Sequence, residues 1–567
     1  MNIIGITRSH NGAVSILRNG QVQVGIQAER LTRQKRQFLT LENDAENISR
    51  TVRYCLEACG LDYADIDAIA TSTPWEHIDV DAAKFETLIG GSLRPNTPIV
   101  TVPHHLTHAE YALHYSDLEP GLVAIVDGSG TYEKDRARFT IQENRRDDAR
   151  IFAGPESKET LSSYAFDGDR LELVYRMGHP PVGVPESLGY VHNARLMQSF
   201  GHLWEWAAWY CCGSVRDPGK VMGLAAHGNP QAHDGSTYAY LDAEGRLQIA
   251  FERLYETFTE PNLGQNDISG NKHFADVAAM VQERTNTLLV ELLGRLQKSV
   301  PARTLYYAGG VALNVVANEV IVRSGLFDRV YMNGSCEDNG TAIGACLAAQ
   351  HYLSGGRSTA PVREYYGRTY TNTEIAAALT EAGCPHEKVT PDELIDRAAN
   401  ALNESAVIGW FQGGSEFGPR ALGNRSILAN PIDPHTKYIL DLLVKRRERY
   451  RPYAPAVLAE RVQDYFDIEG PSPVMLREGR VKVDTLPGIT HIDGSARVQT
   501  VARGDNQRYY DLIKRFGELS GIPVILNTSY NLAGEPIVES PADAIRSFLA
   551  SRMRVLFIGD YIATRPG

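Results

Sequence analysis

Two apolar runs of the same kind, NIIGIT at residues 2–7 and LVAIVDGSG at 122–130, each end in a polar turn and each open a further set of strand patterns. The first leads into GAVSIL and, across the Arg18-Asn19-Gly20 turn, into QVQVGIQAE, the signature of a β-hairpin. A helix from Asp44 to Cys59 and the strand DIDAIATST follow. The second run restarts the plan at Gly121, with ARFTIQE as its expected second strand. A chain that begins the same strand plan twice is constrained to a duplicated α/β core. A helical period from Asp276 to Gln297 then precedes the buried strand TLYYAGG and the helix VALNVVANEVIVRSG, so ligand groups should gather at strand ends. SGGRSTAP, residues 354–361, reads as a linker that divides the chain into domains 1–355 and 356–567.

With 567 residues the chain exceeds what one hydrophobic core organises, and 43% apolar with 22% charged residues is an ordinary globular composition. Lys plus Arg number 57 against 69 Asp plus Glu, which disfavours a polyanionic partner such as tRNA or an anionic membrane. MNIIGITRSHNG carries neither a basic leader nor a long apolar stretch, and the expected location is the cytoplasm. The seven cysteines, at 55, 59, 211, 212, 336, 346 and 384, form no CxxC pair, so neither a disulfide framework nor a cysteine zinc site is expected.

The segment IVTVPHHLTHAEYAL runs from a strand into a helix and places His104 and His108 four apart, about 5–6 Å between Cβ atoms. Asp127 closes its strand, and Asp338 lies in the polar loop SCEDNG. Two imidazoles and two carboxylates suit Fe(II), Mn(II) or Zn(II), although spacing alone favours ordinary hydrogen-bonded helix histidines, as His105 is read to be. In YYAGGVALN, Gly309 and Gly310 allow backbone amides to approach a phosphate, or simply make a tight turn. DPGKVMGLAAHG, residues 217–228, is not a Walker loop, because Val221 stands where Ser or Thr is required. Farther on, the Gly-rich turn of GWFQGGSEFGPRALGNRSILANP offers amides, Arg420 and Arg425 to an anion. VKRRERYRPYAPAV, Arg497 in SARVQTV, and the polar tip Asn527-Thr528-Ser529 add further cations and donors.

HHLTH, IVDGSG, DPGKVMGLAAHG, AGGVALN, GPRALGNRSIL, VKRRERYRPYAP and LNTSYN, in this order, resemble the O-carbamoyltransferase family of the NodU, CmcH and TobZ type over almost the whole chain. The resemblance implies an N-terminal actin-like ATPase core, similar to tRNA threonylcarbamoyl transferase, followed by a YrdC-like α/β domain. It implies that the C-terminal domain forms carbamoyl adenylate from carbamoyl phosphate and ATP with Mg, releasing pyrophosphate. The N-terminal domain would then pass the carbamoyl group to a hydroxyl of a small molecule, a secondary metabolite or sugar, as in antibiotic biosynthesis, and release AMP. His104, His108, Asp127 and Asp338 match metal ligands, with iron the implied ion. Lys220, Gly309, Gly310 and Asn314 match nucleotide contacts of the transfer site. Arg420, Lys445, Arg451, Arg497, Asn527 and Ser529 match the activating site, with Arg446, Arg447 and Arg449 less firmly placed.

Asp217 and His10 are the candidate bases, Lys220 being the third catalytic candidate. This chain reads His10-Asn11-Gly12 where relatives continue with Asp, and Asn cannot serve as a base. Loops near 73–95, 155–210 and 229–275 are expected to shape the acceptor pocket, and a homodimer is the expected assembly. The rival readings are a threonylcarbamoyl-type transferase acting on a macromolecule, an HxxxH metallopeptidase that lacks its general-base Glu, and a nucleotide-sensing scaffold without turnover.

Overall fold

The hairpin read at the N-terminus forms as Asn2–Thr7 (β1), Ala13–Arg18 (β2) and Gln21–Gln27 (β3), turning at Asn19 and Gly20 with φ of 50° and 81°. Positive φ at both positions matches the right-handed twist of the flanking strands. The structure is a computed structural model describing all residues except 41–43, 75–81, 117, 184–194, 263–267, 269, 361–362 and 567. These divide into two compact units, residues 1–28 with 36–363 and residues 29–35 with 364–567.

The duplication is visible in the strand order of the first unit. Ala68–Ser72 (β4) and Ile99–Thr101 (β5) complete a sheet ordered β3-β2-β1-β4-β5, in which β2 is antiparallel to both neighbours and β1, β4 and β5 are parallel. The second sheet contains Gly121–Val126 (β6), Asn144–Phe152 (β7), Lys158–Phe166 (β8), Leu171–His179 (β9), Thr304–Ala308 (β10) and Arg329–Tyr331 (β11). It is ordered β11-β10-β6-β8-β9-β7, with β6, β10 and β11 parallel and β8 antiparallel to β6 and β9. Apart from the added edge strand β7, this is the same order with the same directions.

The expected second strand ARFTIQE is not one. Residues 133–138 form a 3-10 turn, and the hairpin partner of β6 is β8. Glu143 explains the displacement: its carboxylate is drawn into a buried network in which Arg176 donates to it at 2.6 and 2.7 Å and the Tyr164 hydroxyl at 2.6 Å. Arg136 and Glu159 join the same network, which offsets the cost of burying these charges.

Helix α1 (Ala45–Cys59) starts just after Asp44, as its pattern requires, and ends at Gly60 with φ 62°. Helix α2 (His104–Leu113) follows β5, and helix α5 (Thr341–Ser354) follows β11, so each closes its own repeat. Between them lie α3 (Lys272–Ser299) and α4 (Val315–Arg323). The closing helices are exchanged: α5 packs on β1, β2 and β4 of the first sheet, α2 packs on β6 and β10 of the second, and the two pack on each other.

Small residues make this possible. A Cβ at Gly344 of α5 would sit 1.9 Å from the Thr107 carbonyl oxygen of α2, and one at Gly5 of β1 2.0 Å from the Ala342 carbonyl oxygen. Neither obstacle is a side chain that could swing away. Gly344→Val is therefore expected to cost about 3 kcal/mol or more, read as a lowered urea midpoint with unchanged slope.

SGGRSTAP is fastened to the first unit. Arg357 pairs with Glu110, and Ser358 donates to the Gly20 carbonyl. In the second unit ten described strands form one mixed sheet covered on both faces. Alternate residues serve opposite faces: Phe411, Ile427 and Leu526 meet helices Asn372–Glu381 and Pro541–Ala550. Trp410, Leu428 and Ile525 meet Pro391–Asn403 and Gln507–Ser520. The fold is thus α/β throughout, a duplicated core in the first unit and a single mixed sheet between helices in the second. Among the described residues no helix is long and apolar enough to cross a membrane.

Candidate metal centre and anion site

Four ligand-type side chains converge where the two repeats of the first unit meet. His104 opens α2 and His108 follows one turn later; Asp127 leaves the carboxyl end of β6, and Asp338 stands just ahead of α5. All four are buried, and one donor atom from each lies within 4.8 Å of the others. His104 Nε2 is 3.5 Å from Asp127 Oδ2 and 3.4 Å from Asp338 Oδ1, and His108 Nε2 is 3.7 Å from Asp338 Oδ1. Charge-assisted hydrogen bonds are shorter, about 2.7–2.9 Å. Donors that share one tetrahedral ion at about 2.1 Å lie about 3.4 Å apart.

The ring nitrogens of His104 and His108 are buried with no hydrogen-bond partner. Burial opposes charging His104, yet the two carboxylates push it up to about 10. Burial likewise raises the Asp127 carboxyl, but its histidine neighbours hold it down at about 2. The pocket therefore calls for a cation, and the donor set fits a divalent one.

The surrounding residues orient these ligands. Gly310 N–H donates to Asp127 Oδ1 at 2.8 Å, and Gly309, at φ 97°, lies where a Cβ would be 2.2 Å from the Val126 carbonyl oxygen. The Gly-Gly turn thus presses against β6 and fixes a ligand. Ser9 Oγ donates to Asp338 Oδ2, and His10 Nδ1 lies 3.3 Å from the same oxygen with its side chain half exposed. Partial withdrawal from water works against charging His10, but Asp338 raises its pKa overall. Asn11 Nδ2 donates to Glu337 at 2.8 Å; an aspartate there would set two carboxylates against each other. His105 turns to Ser162 Oγ at 2.9 Å, and burial pushes it down to about 4, a neutral ring apart from the cluster.

The second unit gathers cations instead. Lys445 is buried, and its Nζ donates to Asn531 Oδ1 at 2.8 Å, to the Asn531 carbonyl at 3.1 Å and to Ser529 Oγ at 3.2 Å, all uncharged acceptors. Burial and the neighbouring Arg447, Lys35 and Arg451 hold its pKa well below the ordinary lysine range. Burial and then Arg420, Arg447 and Arg451 do the same to Arg497, whose Nε is buried without an acceptor. Arg447 stacks 3.9 Å over the Tyr453 ring, and Arg451 has Glu448 at 3.5 Å. Asp441 lies 3.4 Å from Arg447, so two of these cations are partly met, and the positive excess left at Lys445 and Arg497 suits an anion.

Family models for the carbamoyltransferase N-terminus and C-terminus match residues 92–347 and 399–565. Nodulation protein NolNO of Sinorhizobium fredii is 31% identical over 98% of this chain and 79% of its own length. The chain belongs to the carbamoyltransferase family. Nodulation protein NolO of Bradyrhizobium diazoefficiens is 35% identical over 62% of this chain and 66% of its own. Among solved structures, full-length HypF in its phosphate- and nucleotide-bound form covers 62% of this chain and 56% of its own at TM-score 0.39 and 13% identity. That likeness is slight, and the fold rests on the strand order.

In this carbamoyltransferase the remaining site candidates are placed unevenly. Asp217, at the start of helix Pro218–Ala225, pairs with Lys220 at 3.2 Å on a half-exposed surface, while His10 is the base candidate that touches the metal-ligand cluster. Asn314 caps α4 by accepting from Ala317 N–H and bonds Gln282. Asn527 is buried and donates to the Ala421 carbonyl and Gln499, which ties the turn carrying Arg420 to its strand.

The amides of that turn do not face an anion from outside. Leu422, Asn424 and Arg425 N–H all donate to Glu416 Oε1, at 2.7, 2.7 and 3.1 Å. Arg425 is likewise structural: fully buried, it donates to the carbonyls of Gln412, Gly413, Asn424 and Glu539 and lies 3.6 Å over the Phe411 ring. Arg446 and Arg449 are exposed, whereas Arg447 joins the cluster. Asn531 was missed by sequence reasoning, although the spacings Lys445-x-Arg447 and Ser529-x-Asn531 would have marked it. Of the loops expected to shape the acceptor pocket, 75–81, 184–194, 263–267 and 269 lie outside the described residues.

Proposed function

We propose that this carbamoyltransferase works in two steps, and the observation that carries the reading is the excess of positive charge around buried Lys445, which hydrogen-bonds only uncharged oxygens, and Arg497, whose Nε has no acceptor. Carbamoyl phosphate loses inorganic phosphate to water, and the resulting carbamate oxygen attacks the α-phosphorus of MgATP, giving carbamoyl adenylate and pyrophosphate. An acceptor hydroxyl then takes the carbamoyl group and AMP leaves. Arg420, Arg447, Arg451 and Arg497 neutralise the converging phosphates, while Lys445 is aimed by the Ser529 and Asn531 oxygens rather than by a carboxylate that would cancel its charge.

In the transfer unit His104, His108, Asp127 and Asp338 would hold Fe(II), or Mn(II) or Zn(II), which when bound supplies a Lewis acid beside the reacting group. Ser9 and His10 keep Asp338 oriented, and His10 is placed to take the acceptor's proton. The acceptor is a hydroxyl of a small molecule, because 69 acidic against 57 basic residues repel a nucleic acid.

Purified protein given ATP, Mg and carbamoyl phosphate is expected to exchange labelled pyrophosphate into ATP and to form AMP, without ADP, once an acceptor is supplied. Formation of ADP, or no exchange under these conditions, sinks the two-step reading.

A further inference from the structure

Arg8 stands at the carboxyl end of β1 and is only 3% exposed. Its backbone N–H donates to the Ser72 carbonyl at 3.0 Å, so it emerges where the ends of β1 and β4 lie side by side, the edge at which parallel strands deliver groups to ligands. The next residue, Ser9, bonds Asp338 of the metal-ligand cluster, and His10 contacts the same carboxylate.

Two other buried arginines show what compensation looks like. Arg176 has Glu143 at 2.6 Å, and Arg425 has four carbonyl oxygens. Arg8 has neither among the described residues: no ion pair and no side-chain hydrogen bond, with Nε buried and without an acceptor. Guanidinium carries five donors and does not give up its proton under physiological conditions. Burial alone brings its pKa down to about 10, so it remains a cation at neutral pH. A buried, charged fork with nothing to bind is unfavourable unless an anion comes to it.

We propose that Arg8 receives an oxyanion at the carboxyl ends of β1 and β4, so that one substrate of the transfer step is fixed by an anionic group at the strand end from which Ser9 and His10 reach Asp338. This deepens the two-step reading and rests on it for the identity of the substrates. Two sources share the chemistry, the phosphoryl group of the adenylate and an acid group on the acceptor. Either would be held by the planar fork while Ser9 and His10, next in sequence, attend to Asp338.

The test compares the full chain with Arg8→Met and Arg8→Lys, each also combined with Arg497→Met so that the C-terminal cluster contributes equally. The rise in Tm on adding AMP, inorganic sulfate or acetate is measured against chloride. Arg8→Met is expected to lose at least half of the rise caused by the recognised anion, with Arg8→Lys intermediate, and its Tm in chloride should be no lower than that of the unmodified chain. Loss of the AMP effect assigns the adenylate phosphoryl group, and loss confined to acetate assigns an acidic acceptor. If Arg8→Met keeps the full rise with every anion, the proposal is overturned. Pyrophosphate exchange measured on the unmodified chain and on the single Arg8 variants, all of which keep Arg497, judges the two-step reading separately, since a failed exchange leaves the anion result standing.

Discussion

Arg497→Ala is expected to lower pyrophosphate exchange by about 100-fold or more while leaving the protein at least as stable as before. The two halves of that expectation have one cause. Arg497 lies among Arg420, Arg447 and Arg451, its pKa is driven down by burial and by those neighbours, and its Nε is buried without an acceptor. Removing a charge that only repels its surroundings relieves the folded state. In the proposed activation step, removing it takes away a donor to the incoming phosphates. Arg451→Ala should likewise abolish exchange, with a smaller effect on stability because Glu448 already lies 3.5 Å from it.

Arg425→Ala is the contrasting case, since four carbonyls and the Phe411 ring would lose their partner at once, and its loss of activity should follow loss of structure. Exchange and urea midpoint, measured on all three variants, check the ordering. A large fall in stability for Arg497→Ala would mean that its charge is met by a group of the protein after all.

The difference between Arg497 and Arg425 marks how far the sequence could be read. Both sit in polar motifs of strand and turn, and both looked like anion-binding groups. Which carbonyls lie over a guanidinium depends on strands far apart in the chain, here residues 412–413 and 539, and no local pattern carries that. The same limit concealed Glu416, which fills the amide cluster that the Gly-rich turn was expected to offer to a ligand.

The period-two and period-3.6 patterns were legible because they depend on neighbours in sequence, which is why the hairpin β1–β3, α1 and the strand before Gly309 fell where expected. ARFTIQE had the right alternation and still failed, because Glu143 is worth more to a buried ion network than to a strand. Arg8 gave no signal at all. An arginine after a strand is common, and only a buried side chain with no partner among the described residues makes this one informative.

His108→Ala is expected to leave pyrophosphate exchange within about two-fold of the unmodified chain and to abolish carbamoyl transfer, with metal affinity reduced by more than the roughly 10–100-fold typical of losing an outer partner. His108 lies in α2 of the first unit, and the cation cluster belongs to the second. His108 faces Asp338 at 3.7 Å with both ring nitrogens otherwise without partners, so what it can contribute is a ligand and not a structural hydrogen bond.

The substitution leaves a cavity of imidazole size and strips one neutral donor from a set of two imidazoles and two carboxylates, and a divalent ion is then held by three. His105→Ala, three positions closer to the helix start, separates ligand loss from mere disturbance of α2: its ring bonds Ser162 and stands outside the ligand set, so metal content should survive that change. Metal analysis by mass spectrometry alongside exchange and transfer assays decides the matter. A His108→Ala protein that retains its metal would refute the ligand assignment, and one that loses exchange together with transfer would show that the two units do not divide the chemistry as the charge distribution implies.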